Sequence, residues 1–275
     1  MMKGINNYYG LNKSPEILLI GHSHLMLATD KKKLEKGTGM SVSKYCREGV
    51  NVSDRKAMIE HFLNSGISDS LKYVLYGVDL CTFTGNGLSQ NSYQLFYPFI
   101  DNEYIDKYIK SQTNTTDYWL HKLIKTTRFN NDGLKNSAWR GWCDNWDNFK
   151  TNTINIEKYR KSLEKYGERD IQMNDSLIFQ FKETVKMLTD RGITVILVNT
   201  PTLDLLNNYQ PDKYTKIINW FKEYANKSNL IYFWDFNPVY SANHTIFSDR
   251  IHLNNRGQKL ITDDLVSRLC QLENN

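Results

Sequence analysis

Short runs of apolar residues, each closed by a glycine or a polar residue, recur along the chain and predict β-strands. The runs are 16–20, 73–76, 194–198 and 230–234. Strands that are apolar on both faces are typical of parallel sheets, because helices cover such sheets on each side. We therefore predict a mainly parallel sheet between two layers of helices.

Apolar residues three and four apart predict amphipathic helices between and after these strands. The predicted helices are 56–63, 177–189, 214–226 and 257–272, and a further helical stretch opens at Leu25. Strands that alternate with helices indicate right-handed β-α-β crossovers. The pattern predicts an α/β fold, a three-layer α/β/α sandwich with a mainly parallel, flavodoxin-like sheet.

The alternation breaks between residues 88 and 172, a stretch rich in Asn, Asp, Tyr and Trp with helical patches at 104–110 and 118–126. We predict a single domain over 1–275 in which 88–172 is an inserted helical and irregular cap. The tryptophans of this stretch are expected to form the core of the cap, because aromatic side chains bury a large area. These tryptophans are Trp119, Trp139, Trp142 and Trp146.

Composition and charge exclude several classes of function. The 275 residues are 40% apolar and carry a formal charge of +5, with no dense basic stripe beyond residues 31–33, which argues against nucleic-acid binding. The spacing of the four cysteines fits neither a zinc knuckle nor a redox motif, so we expect free thiols. No apolar run of 18 residues and no signal peptide is visible, and residues 1–9 resemble a short polar lead-in. Membrane association is expected only if an upstream anchor has been removed.

The candidate chemistry lies near the two ends of the chain. The first strand runs into Gly21-His22-Ser23-His24, and Asp249-Arg250-Ile251-His252 stands just before the last helix. The order Ser, Asp, His is that of many acyl-transferring hydrolases. Because a parallel sheet gathers its loops at the carboxyl ends of its strands, we expect the two segments to meet. Ser23 would be the nucleophile, His252 the base and Asp249 the residue that orients His252.

Four short blocks resemble the SGNH hydrolases, also called GDSL-type esterases and lipases. The blocks are Ile20-Gly21-His22-Ser23, Arg47-Glu48-Gly49-Val50-Asn51, Leu75-Tyr76-Gly77-Val78-Asp79, and Ser248 to Gly257, which contains Asp-x-x-His-Leu-Asn. The resemblance implies that the amides of Ser23 and Gly49 bind the oxyanion. It departs from the family at His22, where an Asp is usual, and at Asp79, where an Asn is usual.

The third oxyanion donor is left open by the sequence. An ionised Asp79 cannot donate a hydrogen bond and would repel an oxyanion. Either Asp79 is protonated, or it points elsewhere, or Asn86 or a cap residue supplies the third donor.

These observations predict a serine-dependent ester hydrolase that forms an acyl-enzyme and needs no metal or organic cofactor. Its expected partners are small-molecule or glycan acyl esters. The resemblance extends more loosely to bacterial cell-envelope members that act on O-acyl groups of surface polysaccharides. It therefore implies, as an alternative, an O-acyltransferase with the same triad, and a cell-envelope or periplasmic location.

Two further alternatives follow from the residues. His22 and His24, with Asp79, Asp249 and His252, could form the site of a metal-dependent hydrolase, although a helix starting at once would splay the two imidazoles. The tryptophans could also form the sugar-stacking platform of a non-catalytic glycan-binding relative.

Overall fold

A parallel sheet forms the centre of the molecule in the computed structural model, which describes residues 1–85 and 92–274. Within these residues its strands are β1 (Ile17–Gly21), β2 (Val42–Cys46), β3 (Tyr73–Val78), β4 (Thr194–Asn199) and β5 (Ile231–Asp235). The spatial order is β2-β1-β3-β4-β5, the flavodoxin-like order, and every pairing is parallel. The predicted α/β/α sandwich is therefore confirmed.

Helices cover both faces of the sheet. They are α1 (Met2–Tyr9), α2 (Ser23–Ala28), α3 (Lys31–Thr38), α4 (Val52–Leu63), α5 (Glu103–Gln112), α6 (Thr115–Leu123), α7 (Asp132–Trp142), α8 (Ile156–Tyr166), α9 (Asp175–Thr189), α10 (Asp204–Asn207), α11 (Pro211–Ala225), α12 (Asn237–Tyr240) and α13 (Asn255–Glu273). Short 3₁₀ helices span Ser92–Phe99, Lys125–Phe129 and His244–Ile246. Among the described helices, none has the length and apolar character that crossing a bilayer requires.

The side chains of β1 alternate between two buried clusters, as a strand covered on both faces requires. Leu18 and Ile20 pack with α4, α9 and α11, whereas Ile17 and Leu19 pack with α2, α3 and α13. The continuous apolar run at 16–20 reflects this double burial.

The edge strand β2 was not predicted, because polar residues interrupt its sequence, Val-Ser-Lys-Tyr-Cys. All five residues are nevertheless buried. The Lys44 ammonium donates to the Thr29 carbonyl oxygen at 2.5 Å. Burial lowers the pKa of Lys44 to about 8. A charged side chain inside a strand concealed the strand from a reading based on apolar runs.

The amino-terminal segment is a packed helix, so its interpretation as a polar lead-in was wrong. Helix α1 buries Ile5, Tyr8 and Tyr9 and packs against α7. The Asn7 side chain also donates to the Gly141 carbonyl oxygen. The amphipathic pattern of α1 is short, and its apolar face is largely tyrosine.

Between β3 and β4 the chain forms α5 to α8, within the stretch that we predict to be a cap. Trp146 is buried and its ring stacks on Tyr8 at 5.1 Å between centroids. The other three tryptophans, Trp119, Trp139 and Trp142, are 50%, 70% and 56% exposed. The expectation of a buried tryptophan core therefore holds for one of the four. The four cysteines are free thiols, as predicted.

Candidate active site

The two candidate segments meet at the carboxyl edge of the sheet. Ser23 begins α2 directly after β1, and Asp249 and His252 lie in the loop before α13. The Ser23 Oγ lies 2.7 Å from the His252 Nε2, although 229 residues separate them. The His252 Nδ1 lies 2.8 Å from the Asp249 Oδ2. The predicted residues therefore lie in the relative positions that a hydroxyl, a base and an orienting carboxylate need.

This edge contains the point where the strand order reverses. The chain leaves β1 toward β2 on one side, and the connection after β2 crosses to β3 on the other side of β1. In open parallel sheets the crevice for a ligand forms at such a switch point. Ser23 follows β1 and Asp79 follows β3, so both lie at this edge of the sheet.

The Asp-x-x-His segment folds on itself. The Asp249 Oδ1 accepts hydrogen bonds from the amides of Ile251 at 3.0 Å and His252 at 2.9 Å. The Ser248 amide donates to the His252 carbonyl oxygen at 2.9 Å. Local backbone bonds thus hold the carboxylate beside the imidazole, which explains why a spacing of three residues suits this pair.

The surroundings keep Asp249 ionised and His252 neutral near pH 7. Burial alone would raise the pKa of Asp249, but hydrogen bonds from His252, Ile251 and Lys150 outweigh it and hold this pKa well below its usual range. Burial lowers the pKa of His252; the bond to Asp249 opposes this, while His24 and Lys150 add to it. A neutral imidazole can accept a proton from a serine hydroxyl.

Lys150 is a neighbour of this group that the sequence did not indicate. Its Nζ lies 3.0 Å from the Asp249 Oδ2 and 3.5 Å from the His252 Nδ1. It belongs to an irregular segment of polar residues, and nothing in the spacing of that segment marks one lysine above the others.

The same segment ties the two halves of the site together. The Asn148 side chain donates to the Leu27 carbonyl oxygen at 3.0 Å and to that of Leu253 at 2.9 Å. The Asn152 side chain donates to the Ser248 carbonyl oxygen at 2.9 Å. Residues 148–152 therefore connect the helix that carries Ser23 to the loop that carries His252.

His22 acts as the N-cap of α2. Its Nδ1 accepts a hydrogen bond from the His24 amide at 3.1 Å, so this nitrogen is unprotonated. Its Nε2 lies 2.7 Å from the Asp79 Oδ2, and the His24 Nδ1 lies 2.9 Å from the same oxygen. All three side chains are at least 95% buried. Burial lowers the pKa of His22 to about 3, against the opposing effect of Asp79, so His22 is neutral.

The surroundings of Asp79 favour an ionised acceptor, so its role as an oxyanion donor stays an untested prediction. Burial would raise its pKa, but the imidazoles of His22 and His24 outweigh this and hold the pKa well below the usual range. The other carboxylate oxygen accepts from the Cys81 amide at 2.8 Å and from the Thr82 hydroxyl at 3.1 Å. An ionised carboxylate accepts hydrogen bonds and has no proton to donate. Asn86, the second candidate, lies outside the described residues.

The metal alternative can be judged from the tautomer of His22. His22, His24 and Asp79 are the described residues whose ligand atoms converge, and the two imidazole centroids are 4.2 Å apart, so the predicted splaying is wrong. A metal-binding imidazole normally donates from its second nitrogen. The second nitrogen of His22 accepts instead, so in the neutral ring the proton is on Nε2. Nε2 then has no lone pair for a metal ion, and Asp79 and His24 alone make a poor site.

The candidate oxyanion amides follow adjacent strands, β1 and β2. The Ser23 amide is in the first turn of α2, where amides have no partner within the helix. Gly49 follows β2, the neighbour of β1, and has a φ of 75°, which favours glycine. The roles of both amides, like those of the Ser23, His252 and Asp249 side chains, stay predictions.

Comparisons with known proteins give likeness in fold. Searches against protein-family models and curated proteins found no match. Solved structures that resemble the chain include the C-terminal catalytic domain of peptidoglycan O-acetyltransferase A from Streptococcus pneumoniae, at 14% identity and a TM-score of 0.42 over 94% of this chain and 96% of that one. A protein from the same organism described as a platelet activating factor matches at 12% identity and a TM-score of 0.40, over 97% and 91% of the two chains. The lipase Lip_vut3 from a goat rumen metagenome matches at 13% identity and 0.38, over 91% and 95%. Values this low leave the chemistry to be argued from the residues of this chain.

Proposed function

We propose that the protein is a serine-dependent ester hydrolase that works through an acyl-enzyme. The observation that supports this most directly is the contact of 2.7 Å between the Ser23 Oγ and the His252 Nε2, with Asp249 on the far nitrogen of the ring. A serine hydroxyl is a weak nucleophile unless an oriented base removes its proton. This contact supplies such a base.

In the first half of the reaction the Ser23 Oγ attacks the ester carbonyl carbon as its proton passes to the His252 Nε2. Asp249 stabilises the imidazolium that forms, and the amides of Ser23 and Gly49 donate to the oxyanion. Each oxyanion donor typically lowers the barrier by about 3 kcal/mol. When the intermediate collapses, the bond to the alcohol oxygen breaks and His252 gives that oxygen the proton.

In the second half a water molecule attacks the acyl-serine while His252 takes one of its protons. The carbon–Oγ bond then breaks, the acid leaves, and His252 returns the proton to Ser23. A sugar hydroxyl in place of water would give acyl transfer by the same steps. The substrates proposed are small-molecule or glycan acyl esters.

The proposal is tested by measuring the hydrolysis of 4-nitrophenyl acetate by the wild type and by Ser23→Ala and His252→Ala. We expect either substitution to lower kcat by about a thousandfold or more, because the nucleophile and its base act as a unit. The matched control is Ser176→Ala, which removes an exposed serine on α9 and should leave the rate unchanged.

Chelation by EDTA should leave the wild-type rate unchanged, whereas a metal-dependent hydrolase would lose activity. Turnover by Ser23→Ala at the wild-type rate would refute the assignment of the nucleophile. Product analysis with an added sugar acceptor distinguishes hydrolysis from transfer, because transfer gives an acyl-sugar in place of the free acid.

A further inference from the structure

Lys150 is held against the candidate triad by its own backbone. Its amide donates to the Asn148 Oδ1 at 2.9 Å, and its carbonyl oxygen accepts from the Asn255 amide at 2.8 Å. Asn255 is the first residue of α13, so the backbone at Lys150 is fixed to the helix that follows His252. The lysine side chain therefore starts from an anchored position.

The ammonium contacts the one carboxylate oxygen that the backbone leaves free. The Asp249 Oδ1 is occupied by two amides, while Oδ2 receives the His252 Nδ1 at 2.8 Å and the Lys150 Nζ at 3.0 Å. Two donors on one oxygen fix the plane of the carboxylate and, through it, the ring of His252. The Lys150 Nζ is also only 3.5 Å from the His252 Nδ1, so a protonated imidazole would face a second positive charge.

Few other charged groups face this imidazole in the described part of the chain. Asp249 and Lys150 lie at its Nδ1, Ser23 lies at its Nε2, and the His24 ring stands edge-on at 5.3 Å between centroids. Arg250, next to Asp249, is paired with Glu168 at 2.8 Å. Lys150 thus brings a positive charge into direct contact with the Asp249–His252 pair.

Resting on the triad proposed above, we propose that Lys150 is a positioning residue: it holds the Asp249 carboxylate against His252, and its positive charge lies close enough to the imidazole to oppose protonation of the ring. The lysine comes from the stretch between β3 and β4 and not from the SGNH-like blocks. Its side chain is 36% exposed, so water screens part of the effect.

The test compares wild type with Lys150→Met and Lys150→Arg. The pKa of His252 is measured by NMR of histidines labelled at Cε1 and assigned with His252→Gln, and kcat/KM for 4-nitrophenyl acetate is measured against pH. We expect Lys150→Met to raise the pKa of His252 by about 0.5–1 unit and to move the acid limb of kcat/KM to higher pH by the same amount. At the plateau kcat should fall roughly tenfold, the usual effect of losing a residue that orients a functional group.

Lys150→Arg should restore both values, because arginine keeps the charge and can donate to the same oxygen. The matched control is Lys186→Met on α9, which removes an exposed lysine paired with Asp190 and should change neither value. An unchanged His252 pKa in Lys150→Met would overturn the inference, whatever its rate. If the pKa shifts but wild type turns over no ester, the placement of Lys150 is supported and the proposed function fails. The two failures can therefore be told apart.

Discussion

At the scale of single residues, His22 and Asp79 support one another in the interior. Asp79 is a buried negative charge, which is costly without partners. His22 supplies a ring nitrogen 2.7 Å from that carboxylate. It also caps α2 through its other nitrogen.

This neutral, buried His22 predicts how stability depends on pH. Below pH 6.5 the unfolded chain binds a proton at this imidazole, whereas the folded protein does not bind it until about pH 3. Proton binding therefore stabilises the unfolded state as the pH falls, and the free energy of unfolding decreases. From pH 7 to pH 5 we expect this group to lower the free energy of unfolding by about 2 kcal/mol.

The measurement is urea denaturation of wild type and His22→Asn at pH 7 and pH 5. Asparagine keeps a side-chain acceptor at the N-cap but does not titrate. The variant should lose about 2 kcal/mol less than wild type between the two pH values, whatever its stability at pH 7. Equal losses in both proteins would contradict a neutral His22.

At the scale of secondary-structure elements, burial on two faces decided what could be predicted. Strands β1, β3 and β4 are largely apolar because helices cover both of their faces, and the sequence indicated all three. Strand β2 carries a buried lysine, and α1 depends on its contact with α7, so neither had a strong local signal. Contacts between distant segments formed these two elements.

The candidate site also contains residues that could be predicted and residues that could not. Ser23, Asp249 and His252 could be predicted to meet, because a parallel sheet gathers its loops at the carboxyl ends of its strands. Lys150 and Asn148 could not, because their roles depend on where an irregular segment lies against α2 and α13. Their partners are more than ninety positions away along the chain. No local pattern encodes such a contact.

The crossing of α1 and α7 leads to a prediction at this scale. A β-carbon added at Gly141 would come within 1.8 Å of the Gly4 carbonyl oxygen and 2.9 Å of the Tyr8 amide nitrogen. These are backbone atoms, so the helices would have to separate. We expect Gly141→Ala to destabilise the protein by about 2 kcal/mol. In a helix whose surface is not packed against a neighbour, replacing glycine by alanine instead stabilises by up to about 1 kcal/mol.

Urea denaturation measures this change, and fluorescence of Trp146, which stacks on Tyr8, reports whether α1 stays docked. The matched control is Gly85→Ala, where the nearest atoms to an added carbon are 3.8 Å away. If Gly141→Ala were as stable as the control, the close crossing of these two helices would be wrong.

At the scale of the whole molecule, the fold brings its two ends together over the sheet. Helix α13 packs against α2 and α3. Its Gln258 side chain donates to the Thr29 carbonyl oxygen at 3.0 Å, and the Thr262 hydroxyl accepts from the Asp30 amide at 2.9 Å. Together with residues 148–152, these bonds hold the loop of His252 over the start of α2. Ser23 and His252 are thus held near one another by bonds from different parts of the chain.

We propose that His252 activates the Ser23 hydroxyl, and covalent labelling with a fluorophosphonate, followed by peptide mass spectrometry, tests this directly. This reagent traps a serine whose hydroxyl is activated by a neighbouring base. We expect one adduct per chain, on Ser23, and its loss in His252→Ala although the serine is still present. No adduct on folded wild type, or a label on Ser23 that forms equally fast in His252→Ala, would contradict it.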